Sequence, residues 1–396
     1  MFKARLMPAA FVGLAGAAFV AALAFAQEGQ PPAKAPEMVP ASPGTRGVPA
    51  GNYNASARTA ADEALPTSFA RDETFFKIPK TMKLGGASGI AIDKDGHSIW
   101  IYQRCGGQDV CIGSHDASLW KFDSNGNFVK AILTDQIVYP HGLYVAPDGN
   151  LWVTDLQSNV DFSGQPDGYK GRNFPTDLKA NGADVLEFSP EGKLLMRLGT
   201  PGVYGTDNAH FSQPSAVAVD STGNIYVADG HDSKPANNRI MKFDKTGKFI
   251  KSWPTCQPTD AKQIDCGHAL AIDSKDRLFV GNRGNSVIDI FDQDGKLLDQ
   301  WKQFGKPSGL FIDKNDVLYV GDSESSVREG NAFIRGIHLG DVRTGAVKAF
   351  LPDPLGNPVP WNPLRGTTGA EGVAAADGYI YVSQVTPPGL ARYSPK

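Results

Sequence analysis

The sequence has no run of basic residues and no helical pattern rich in lysine and arginine, although 20% of its 396 residues are charged. Lysine and arginine together number 39 and aspartate and glutamate 42, which gives a net charge of −3 at pH 7. Proteins that bind nucleic acid concentrate positive charge on one surface. The lack of such a cluster excludes nucleic acid from the expected partners.

Cysteine is scarce, and the four cysteines fall into two close pairs, Cys105 with Cys111 and Cys256 with Cys266. Close pairs in an exported protein are typical of disulfides, and local pairing is the favoured one of the three possible connectivities. The spacings Cys-x5-Cys and Cys-x9-Cys differ from those of zinc ribbons, so a metal role is the weaker interpretation.

An apolar run at residues 6–26 follows two basic residues and ends in Ala24-Phe25-Ala26. This pattern predicts a secretory signal peptide over residues 1–26. The run is also long enough for an uncleaved anchor, but its alanine and glycine content and its Ala-x-Ala ending favour cleavage. We therefore expect an exported protein, periplasmic or secreted, with no stable membrane span once the signal peptide is removed.

Residues 27–70 are rich in Pro, Ala, Gly and Ser and poor in large apolar side chains, which predicts a disordered leader. In the remaining part, residues 71–396, one sequence unit recurs six times at spacings of 40 to 74 residues. In the copy at 140–155, two runs of alternating apolar residues flank the turn Asp148-Gly149. Alternation with a period of two indicates half-buried strands, and Asp-Gly is a hairpin turn.

Third and fourth strands, separated by another glycine turn, follow most copies, for example at 239–244 and 247–250. Six repeats of four short antiparallel strands are typical of an all-β fold, the six-bladed β-propeller. A closed propeller is a single domain, because a cut between blades would expose sheet edges, and we expect a monomer. The last copy ends at 390–393, so we predict that residues 74–78 complete its sheet and close the ring.

The residue that opens the first strand of each copy forms an alternating series: Ser88, His141, Ser215, His268, Ser308 and Glu371. The innermost strands line the channel of a propeller, so alternate blades place His141, His268 and Glu371 about 120° apart around the axis. Two imidazoles and a carboxylate are a typical ligand set of catalytic zinc, which keeps a fourth position open. The alternative is a polar channel lining; we favour the metal site.

A second set of equivalent positions follows the next strand, and only two opposite blades have arginine there, Arg104 and Arg283. Their guanidinium groups could hold a substrate carboxylate, or they could bond loop carbonyls as structural residues. His231 lies one residue past this column and is a candidate general base, with a surface-loop histidine as the alternative. Aspartates recur one position before this column and are interpreted as structural hydrogen-bonding groups: Asp155, Asp229 and Asp322.

These segments resemble the NHL-repeat propellers, and among them the peptidyl-α-hydroxyglycine α-amidating lyases and their bacterial relatives. The resemblance covers roughly residues 73–396 and is most specific at 139–143, 148–155, 211–214, 227–230, 238–240, 268–270 and 282–285. It implies a six-bladed propeller whose axial zinc is held by three histidines, with arginines and a tyrosine around the substrate. His141 and His268 match two zinc ligands, and Arg104 and Arg283 match the two active-site arginines.

Three positions depart from the family. Glu371 stands in place of the third zinc histidine; it can still bind zinc, although its negative charge weakens the Lewis acidity of the metal. Gly372 replaces an acid that helps to hold structural calcium in the animal enzymes, which speaks against a calcium site. His231 stands in place of the catalytic tyrosine and is our candidate base.

The resemblance implies that a small-molecule or peptide substrate binds in the channel and that a carbinolamide C–N bond is cleaved to give an amide and glyoxylate. Zinc would orient the hydroxyl and lower its pKa while an arginine holds the adjacent carboxylate. One alternative is a metal-dependent esterase or lactonase, which the fold alone does not exclude. The other is a non-catalytic binding propeller, whose insertion at 157–183 offers Phe162, Tyr169 and Phe174 to a partner.

Overall fold

The computed structural model describes residues 65, 68–106, 110–159, 179–231, 237–256, 265–325, 333–354 and 369–396. All of its strands lie in the unit Pro43–Lys396, while a separate unit, Met1–Ser42, falls outside the described residues. The predicted signal peptide and nearly all of the predicted leader therefore have no structural test here. Within the described ranges, no helix has the length and apolar character needed to cross a membrane.

The described residues form 24 strands and no α-helix. In chain order the strands are Phe69–Asp72 (β1), Gly86–Ile92 (β2), Ile99–Arg104 (β3), Leu119–Phe122 (β4), Phe128–Ile132 (β5), Pro140–Val145 (β6), Leu151–Asp155 (β7), Asp184–Phe188 (β8), Leu194–Leu198 (β9), Pro214–Val219 (β10), Ile225–Asp229 (β11), Arg239–Phe243 (β12), Phe249–Pro254 (β13), Ala269–Ile272 (β14), Leu278–Asn282 (β15), Val287–Phe291 (β16), Leu297–Trp301 (β17), Pro307–Ile312 (β18), Val317–Asp322 (β19), Gly336–Asp341 (β20), Val347–Pro352 (β21), Gly372–Ala376 (β22), Tyr379–Gln384 (β23) and Gly389–Pro395 (β24).

These strands pair as six antiparallel sheets of four strands each, and five of the sheets take their strands in chain order. The inner strands β2, β6, β10, β14, β18 and β22 each contact the next one, and β22 contacts β2. The sheets therefore form a closed ring. This confirms the six-bladed β-propeller predicted from the sequence repeats.

The sixth blade is closed by an N-terminal strand, but at a different place from the one predicted. Strand β1 (Phe69–Asp72) pairs with β24, with Phe69 opposite Pro395 and Asp72 opposite Arg392. The predicted segment 74–78 instead packs Phe75 and Phe76 side by side into the core between blades six and one. Among the described residues, this segment forms only an isolated bridge, between Lys77 and Asn127 of blade one, so it adds no strand to the sixth blade.

The core lies between the blades, because each sheet buries both of its faces. Every residue of the second strands β7, β11 and β15 is buried. Val227 of β11, for example, packs in one cluster with Trp152 of the preceding blade. Burial of a side chain of this size stabilises the fold by roughly 1.5–3 kcal/mol, so the ring holds the channel-lining strands rigidly.

Both predicted disulfides are present. Cys105 is bonded to Cys111, and Cys256 is bonded to Cys266. Each bridge stands beside a residue of the predicted site, because Cys105 directly follows Arg104 and Cys266 lies two residues before His268. The disulfides thus anchor the loops from which two candidate site residues emerge.

Candidate metal centre in the central channel

A repeated β-bulge places the alternating residues at the start of four of the six blades. The pairing of β2 with β3 skips Ser88, that of β10 with β11 skips Ser215, and that of β18 with β19 skips Ser308. The pairing of β6 with β7 skips His141 and Gly142. A bulge leaves its extra residue out of the ladder and redirects its side chain, so the same backbone irregularity sets four of the six positions. His268 and Glu371 instead directly precede the ladders of β14 with β15 and of β22 with β23.

The two predicted histidine ligands meet across the channel. The ring centroids of His141 and His268 are 4.8 Å apart, although they come from blades two and four, which are not neighbours in the ring. From blade six, the Oε1 atom of Glu371 lies 3.3 Å from Nε2 of His268. Residues of three alternate blades therefore converge on the axis, as the alternating series predicts.

Backbone carbonyls fix the orientation of both imidazoles. Nδ1 of His141 lies 2.7 Å from the carbonyl oxygen of Ser215, and Nδ1 of His268 lies 2.7 Å from that of Ser308. A carbonyl only accepts, so each Nδ1 carries the hydrogen and each Nε2 carries a lone pair. This is the arrangement that metal-binding histidines adopt, with the outer nitrogen bonded to a carbonyl.

The two Nε2 atoms have no hydrogen-bond partner among the described residues, although both are buried. A buried acceptor without a partner is costly. Burial lowers the pKa of both imidazoles well below 6.5, and nearby positive charge adds to this, mainly from His231 for His141 and from Arg283 for His268. Both side chains are therefore neutral at pH 7, which is the form that binds a metal.

His231 is the third histidine of this centre. Its ring centroid lies 4.7 Å from that of His141 and 4.9 Å from that of His268, so the three rings form a nearly equilateral triangle. Their candidate donor atoms all lie within 4.8 Å of one another. Ligands of one zinc, at about 2.0–2.1 Å from it, stand roughly 3.3 Å apart, so a small inward movement lets the three histidines hold a metal ion.

Glu371 lies at the side of this triangle, and a hydrogen bond to its outer carboxylate oxygen fixes its orientation. Its Oε2 atom accepts a hydrogen bond from the Ser323 hydroxyl at 2.7 Å. The Ser323 hydroxyl is in turn 2.8 Å from the Ser308 hydroxyl. Ser308 thus supplies both the carbonyl that orients His268 and the first hydroxyl of the hydrogen-bond series that leads to Glu371. This couples the positions of Glu371 and His268.

The two arginines of the second column have different surroundings. Arg283 is buried in contact with Asp265, and its Nη1 lies 3.2 Å from Glu324 and 3.6 Å from Glu371. Burial alone would lower the pKa of Arg283, but these three carboxylates raise it above its usual value. Its Nη2 lies 3.3 Å from Nε2 of His231. Arg283 is thus a fixed positive charge in the wall of the centre.

Arg104, by contrast, has no carboxylate within 4.0 Å among the described residues. Its guanidinium stacks on the ring of Tyr139 at 4.3 Å, and its Nε donates to the carbonyl of Pro140 at 3.3 Å. It is close enough to His141 for its charge to lower the pKa of that imidazole, after the larger effects of burial and His231. A buried guanidinium with this environment is suited to an anionic ligand.

The aspartates that stand one position before the arginine column have structural roles. Asp155 accepts hydrogen bonds from the backbone of Val138 and Tyr139. Asp229 and Asp322 accept backbone hydrogen bonds in the same way from the segments that precede their own blades. Their side chains therefore tie the loop before each inner strand to the end of the second strand.

The sequence analysis did not single out Asp265, Ser323 or Glu324. The first is the residue before Cys266, and the other two directly follow Asp322 at the end of β19. The sequence features that could have pointed to these residues were their positions next to a cysteine and next to the arginine column. The aromatic residues of the predicted insertion, Phe162, Tyr169 and Phe174, lie outside the described residues.

Fold and site together define the class of protein: a six-bladed β-propeller with a buried histidine centre in its channel that could hold a metal ion.

The comparisons with known proteins agree with this class. The NHL repeat family matches residues 211–234, which end just past His231. A probable peptidyl-α-hydroxyglycine α-amidating lyase of Caenorhabditis elegans is 24% identical over 332 residues, which cover 77% of this chain and 81% of the relative. The chain thus carries an NHL repeat and is similar to amidating lyases.

Two further comparisons set the limits of this likeness. Peptidyl-glycine alpha-amidating monooxygenase B of Xenopus laevis is 27% identical over 348 residues, which cover 79% of this chain but only 34% of the relative. The chain therefore spans about a third of that protein. Among solved structures, a gluconolactonase of Xanthomonas campestris has a TM-score of 0.53 at 14% identity and covers 85% of this chain and 92% of that one. At this identity the likeness extends to the fold alone.

Proposed function

We propose that this protein is an exported, zinc-dependent lyase of the amidating-lyase type. Its substrate is a carbinolamide with an adjacent carboxylate, and its products are an amide and glyoxylate. The observation that carries the proposal is the pair of buried Nε2 atoms of His141 and His268, which have no hydrogen-bond partner in the described part of the chain. Each imidazole is oriented through Nδ1 by a carbonyl of the next blade. The similarity to amidating lyases supplies the reaction class.

The residues fit zinc by their chemistry. Neutral imidazoles in a three-ligand set are characteristic of catalytic zinc, which keeps one position for water or substrate. When bound, zinc would supply Lewis-acid polarisation of the substrate hydroxyl and lower its pKa. His141 and His268 would hold it, with His231 as the third histidine of the triangle.

The chain's own groups account for binding and orientation. Arg104 would hold the substrate carboxylate through its guanidinium, since it has no competing acid among the described residues. The guanidinium carbon of Arg104 lies over the ring of Tyr139, 4.3 Å from its centroid, which restricts the position of the guanidinium before substrate binds. A base must take the hydroxyl proton as the C–N bond breaks, and the nitrogen must receive a proton in return.

Export is supported by the signal-peptide pattern at residues 1–26 and by the two disulfides, which persist in oxidising compartments. Mass spectrometry of the mature N-terminus from a periplasmic or secreted fraction tests this part of the proposal. An intact N-terminus on a membrane-bound protein would contradict it and support an anchor.

Metal analysis and product analysis together test the function. The purified protein should contain about one zinc per chain, and His141→Ala should lose it. An N-acyl-α-hydroxyglycine should then give glyoxylate in equal amount to the amide, and zinc removal should abolish the reaction. Absence of metal from the wild type would favour a binding propeller, and turnover of a lactone without turnover of the hydroxyglycine would favour a metal-dependent lactonase.

A further inference from the structure

We infer that Ser323 is a positioning residue of the metal centre. Its hydroxyl holds the Glu371 side chain so that Oε1 of the carboxylate serves as the third ligand beside His141 and His268. This inference rests on the proposed function, and it supplies a partner for the one predicted ligand that is not a histidine. A carboxylate and an imidazole need different outer partners, and Ser323 provides the kind that a carboxylate needs.

Glu371 is placed as the third ligand by its distance to His268. Its Oε1 lies 3.3 Å from Nε2 of His268, which matches the separation of roughly 3.3 Å between two ligands of one zinc. His231 is less well placed, because its Nε2 lies 3.3 Å from Nη2 of Arg283, and a guanidinium only donates. That nitrogen accepts a hydrogen bond and has no lone pair left for a metal.

A carboxylate ligand needs a partner that distinguishes its two oxygens. His141 and His268 are oriented by backbone carbonyls of the next blade, since each imidazole donates through its second nitrogen. A carboxylate has no hydrogen to give to a carbonyl, so its second oxygen must accept from a donor instead. Carboxylates that bind metals are themselves held by such hydrogen bonds. In this protein the donor comes from blade five, which precedes the blade of Glu371.

Ser323 is that donor. Its hydroxyl lies 2.7 Å from Oε2 of Glu371, and a carboxylate only accepts, so Ser323 donates. Because a hydroxyl has one hydrogen, the 2.8 Å contact between Ser308 and Ser323 must be donated by Ser308. The Ser308 oxygen in turn accepts from the backbone N–H of Ser323 at 3.3 Å. Both hydroxyls thus have a fixed direction, and Oε2 is held while Oε1 is left for the metal.

The loop that carries Ser323 is fixed by its neighbour Asp322. The Asp322 carboxylate accepts backbone hydrogen bonds from Glu324 at 3.1 Å, from Ser325 at 2.8 Å and from Lys306 at 2.9 Å. These bonds tie the turn that follows β19 to the segment that precedes β18. Ser323 therefore presents its hydroxyl from a well-fixed backbone, which a positioning residue requires.

Two glycines let blade five approach the backbone around Glu371 closely enough for a serine to reach the carboxylate. An added Cβ at Gly309 would stand 2.6 Å from the carbonyl oxygen of Glu371, and one at Gly369 would stand 2.5 Å from Cα of Ser323. Real Cβ contacts are essentially never shorter than 3.0 Å. A larger residue at either position would therefore separate the two blades where Ser323 meets Glu371.

The geometry of the centre depends on this hydrogen bond. A carboxylate held through Oε2 presents one oxygen, so three protein ligands leave one position of a tetrahedral zinc open for substrate. Without the Ser323 hydroxyl, the carboxylate is free to turn about its terminal bond, which has only weak rotational preferences. Loss of an outer partner of this kind typically lowers metal affinity by about 10–100-fold.

Zinc dissociation constants measured by chelator competition test the inference, with urea unfolding of the metal-free proteins to confirm that each variant is folded. Ser323→Ala should weaken zinc binding by about 10–100-fold, and Ser323→Thr, which keeps the hydroxyl, should recover most of the affinity. Ser325→Ala is the matched control. It removes an equally buried hydroxyl two residues along the same loop, one that makes no hydrogen bond to a candidate ligand within the described residues, so it should bind zinc as tightly as the wild type.

A double-mutant cycle shows whether Ser323 acts through Glu371. Glu371→Ala should itself weaken zinc binding, because it removes a ligand. Adding Ser323→Ala to that variant should cause no further loss, because the carboxylate that the hydroxyl holds is then absent. A residue that only supports its loop would cause the same loss with and without Glu371.

Three outcomes would overturn the inference: wild-type zinc affinity in Ser323→Ala, wild-type zinc affinity in Glu371→Ala, or an equal loss from Ser323→Ala in both backgrounds. Zinc binding by the wild type without turnover of an N-acyl-α-hydroxyglycine would refute the proposed reaction alone, and the affinities would still decide the role of Ser323. A wild type without zinc affinity would overturn both the inference and the metal-dependent function.

Discussion

Gly142 lies against the carbonyl that orients a metal-site histidine, and this makes one substitution informative. A Cβ atom at position 142 would stand 2.5 Å from the carbonyl oxygen of Ser215 and 3.1 Å from Oγ1 of Thr154. Real Cβ contacts are essentially never shorter than 3.0 Å. Gly142→Ala must therefore push the Ser215 carbonyl away by about 0.5 Å, the difference between 3.0 and 2.5 Å.

The same carbonyl accepts the hydrogen bond of His141, whose Nδ1 lies 2.7 Å from it. A displacement of this size stretches the bond to about 3.2 Å, the edge of the normal range. Loss of such an outer partner typically lowers metal affinity by about 10–100-fold, which is about 1.4–2.8 kcal/mol of binding free energy. Gly142→Ala should show this loss although it changes no ligand.

Gly267→Ala is the matched control, because Gly267 is also the chain neighbour of a metal-site histidine: it directly precedes His268, as Gly142 directly follows His141. A Cβ there would meet its nearest atom at 3.5 Å, an ordinary contact, so zinc affinity should stay at the wild-type value. Zinc dissociation constants come from chelator competition, and urea unfolding of the metal-free proteins reports the separate cost in stability. If Gly142→Ala loses stability but binds zinc as tightly as Gly267→Ala, the carbonyl does not support the ligand and the reasoning is refuted.

Three further predictions concern the charges and the covalent bridge of the site. Arg104→Ala should raise KM for a carboxylate substrate by about 10–100-fold, through loss of charge-assisted hydrogen bonds of about 1.5–3 kcal/mol. Arg283→Met should instead lower the unfolding free energy by about 3–5 kcal/mol, because it leaves buried carboxylates without their positive partner. Steady-state kinetics and urea unfolding measure the two effects separately, and equal changes in KM and in unfolding free energy for both variants would contradict the prediction. The lowered pKa values of His141 and His268 mean that the unfolded chain binds more protons below pH 6.5, so the metal-free protein should lose stability as pH falls, by up to about 1.4 kcal/mol per histidine for each pH unit. Urea titrations of the wild type and of the double variant His141→Gln/His268→Gln at several pH values check this, because the contributions of all other titratable groups cancel in the difference. The same dependence of unfolding free energy on pH in both proteins would refute it. Reduction of the bridge Cys256–Cys266, which closes a loop with a sequence separation of 10, should cost about 2–3 kcal/mol, and a reduced protein that unfolds at the same urea concentration would contradict it.

The repeat made the architecture predictable, because each copy encodes the same hairpin and turn. Six copies were enough to specify six blades, and the first position of each copy was enough to bring His141 and His268 together. The exact place of the closing strand was not predictable, because it is a single segment without a repeat to align. The pair Phe75-Phe76 offered apolar residues where a strand was expected, but the chain uses them as core packing.

The position of His231 depends on a loop conformation that the alignment of the six copies does not give. Gly230 has a φ of 127°, a conformation that residues with a side chain rarely adopt, and it turns the chain directly after β11. His231 then reaches the two ligand histidines, although it lies one residue beyond the aligned column. Sequence position left open whether His231 faces the channel or lies in a surface loop, and the loop geometry brings its ring to 4.7 Å from that of His141.

The alternation of serine with histidine has a physical explanation that alignment of the copies alone does not give. Blades two and four carry His141 and His268, and in both cases a serine of the preceding blade binds the residue just before the histidine. The Ser88 hydroxyl donates to the carbonyl of Pro140, and the Ser215 hydroxyl donates to that of Gly267. The serine of the following blade offers its own carbonyl to the imidazole Nδ1. Each histidine is thus fixed from both neighbouring blades.

This explains why two histidines do not stand in adjacent blades. A histidine at position 215 would still offer a carbonyl to His141, but it would lose the small hydroxyl that secures the segment before His268. Blade six differs, because the Ser308 hydroxyl reaches the Glu371 carboxylate through the Ser323 hydroxyl and not through the backbone. The serines thus support the candidate ligands of neighbouring blades, and changes of serine to alanine should loosen the centre without removing any candidate ligand.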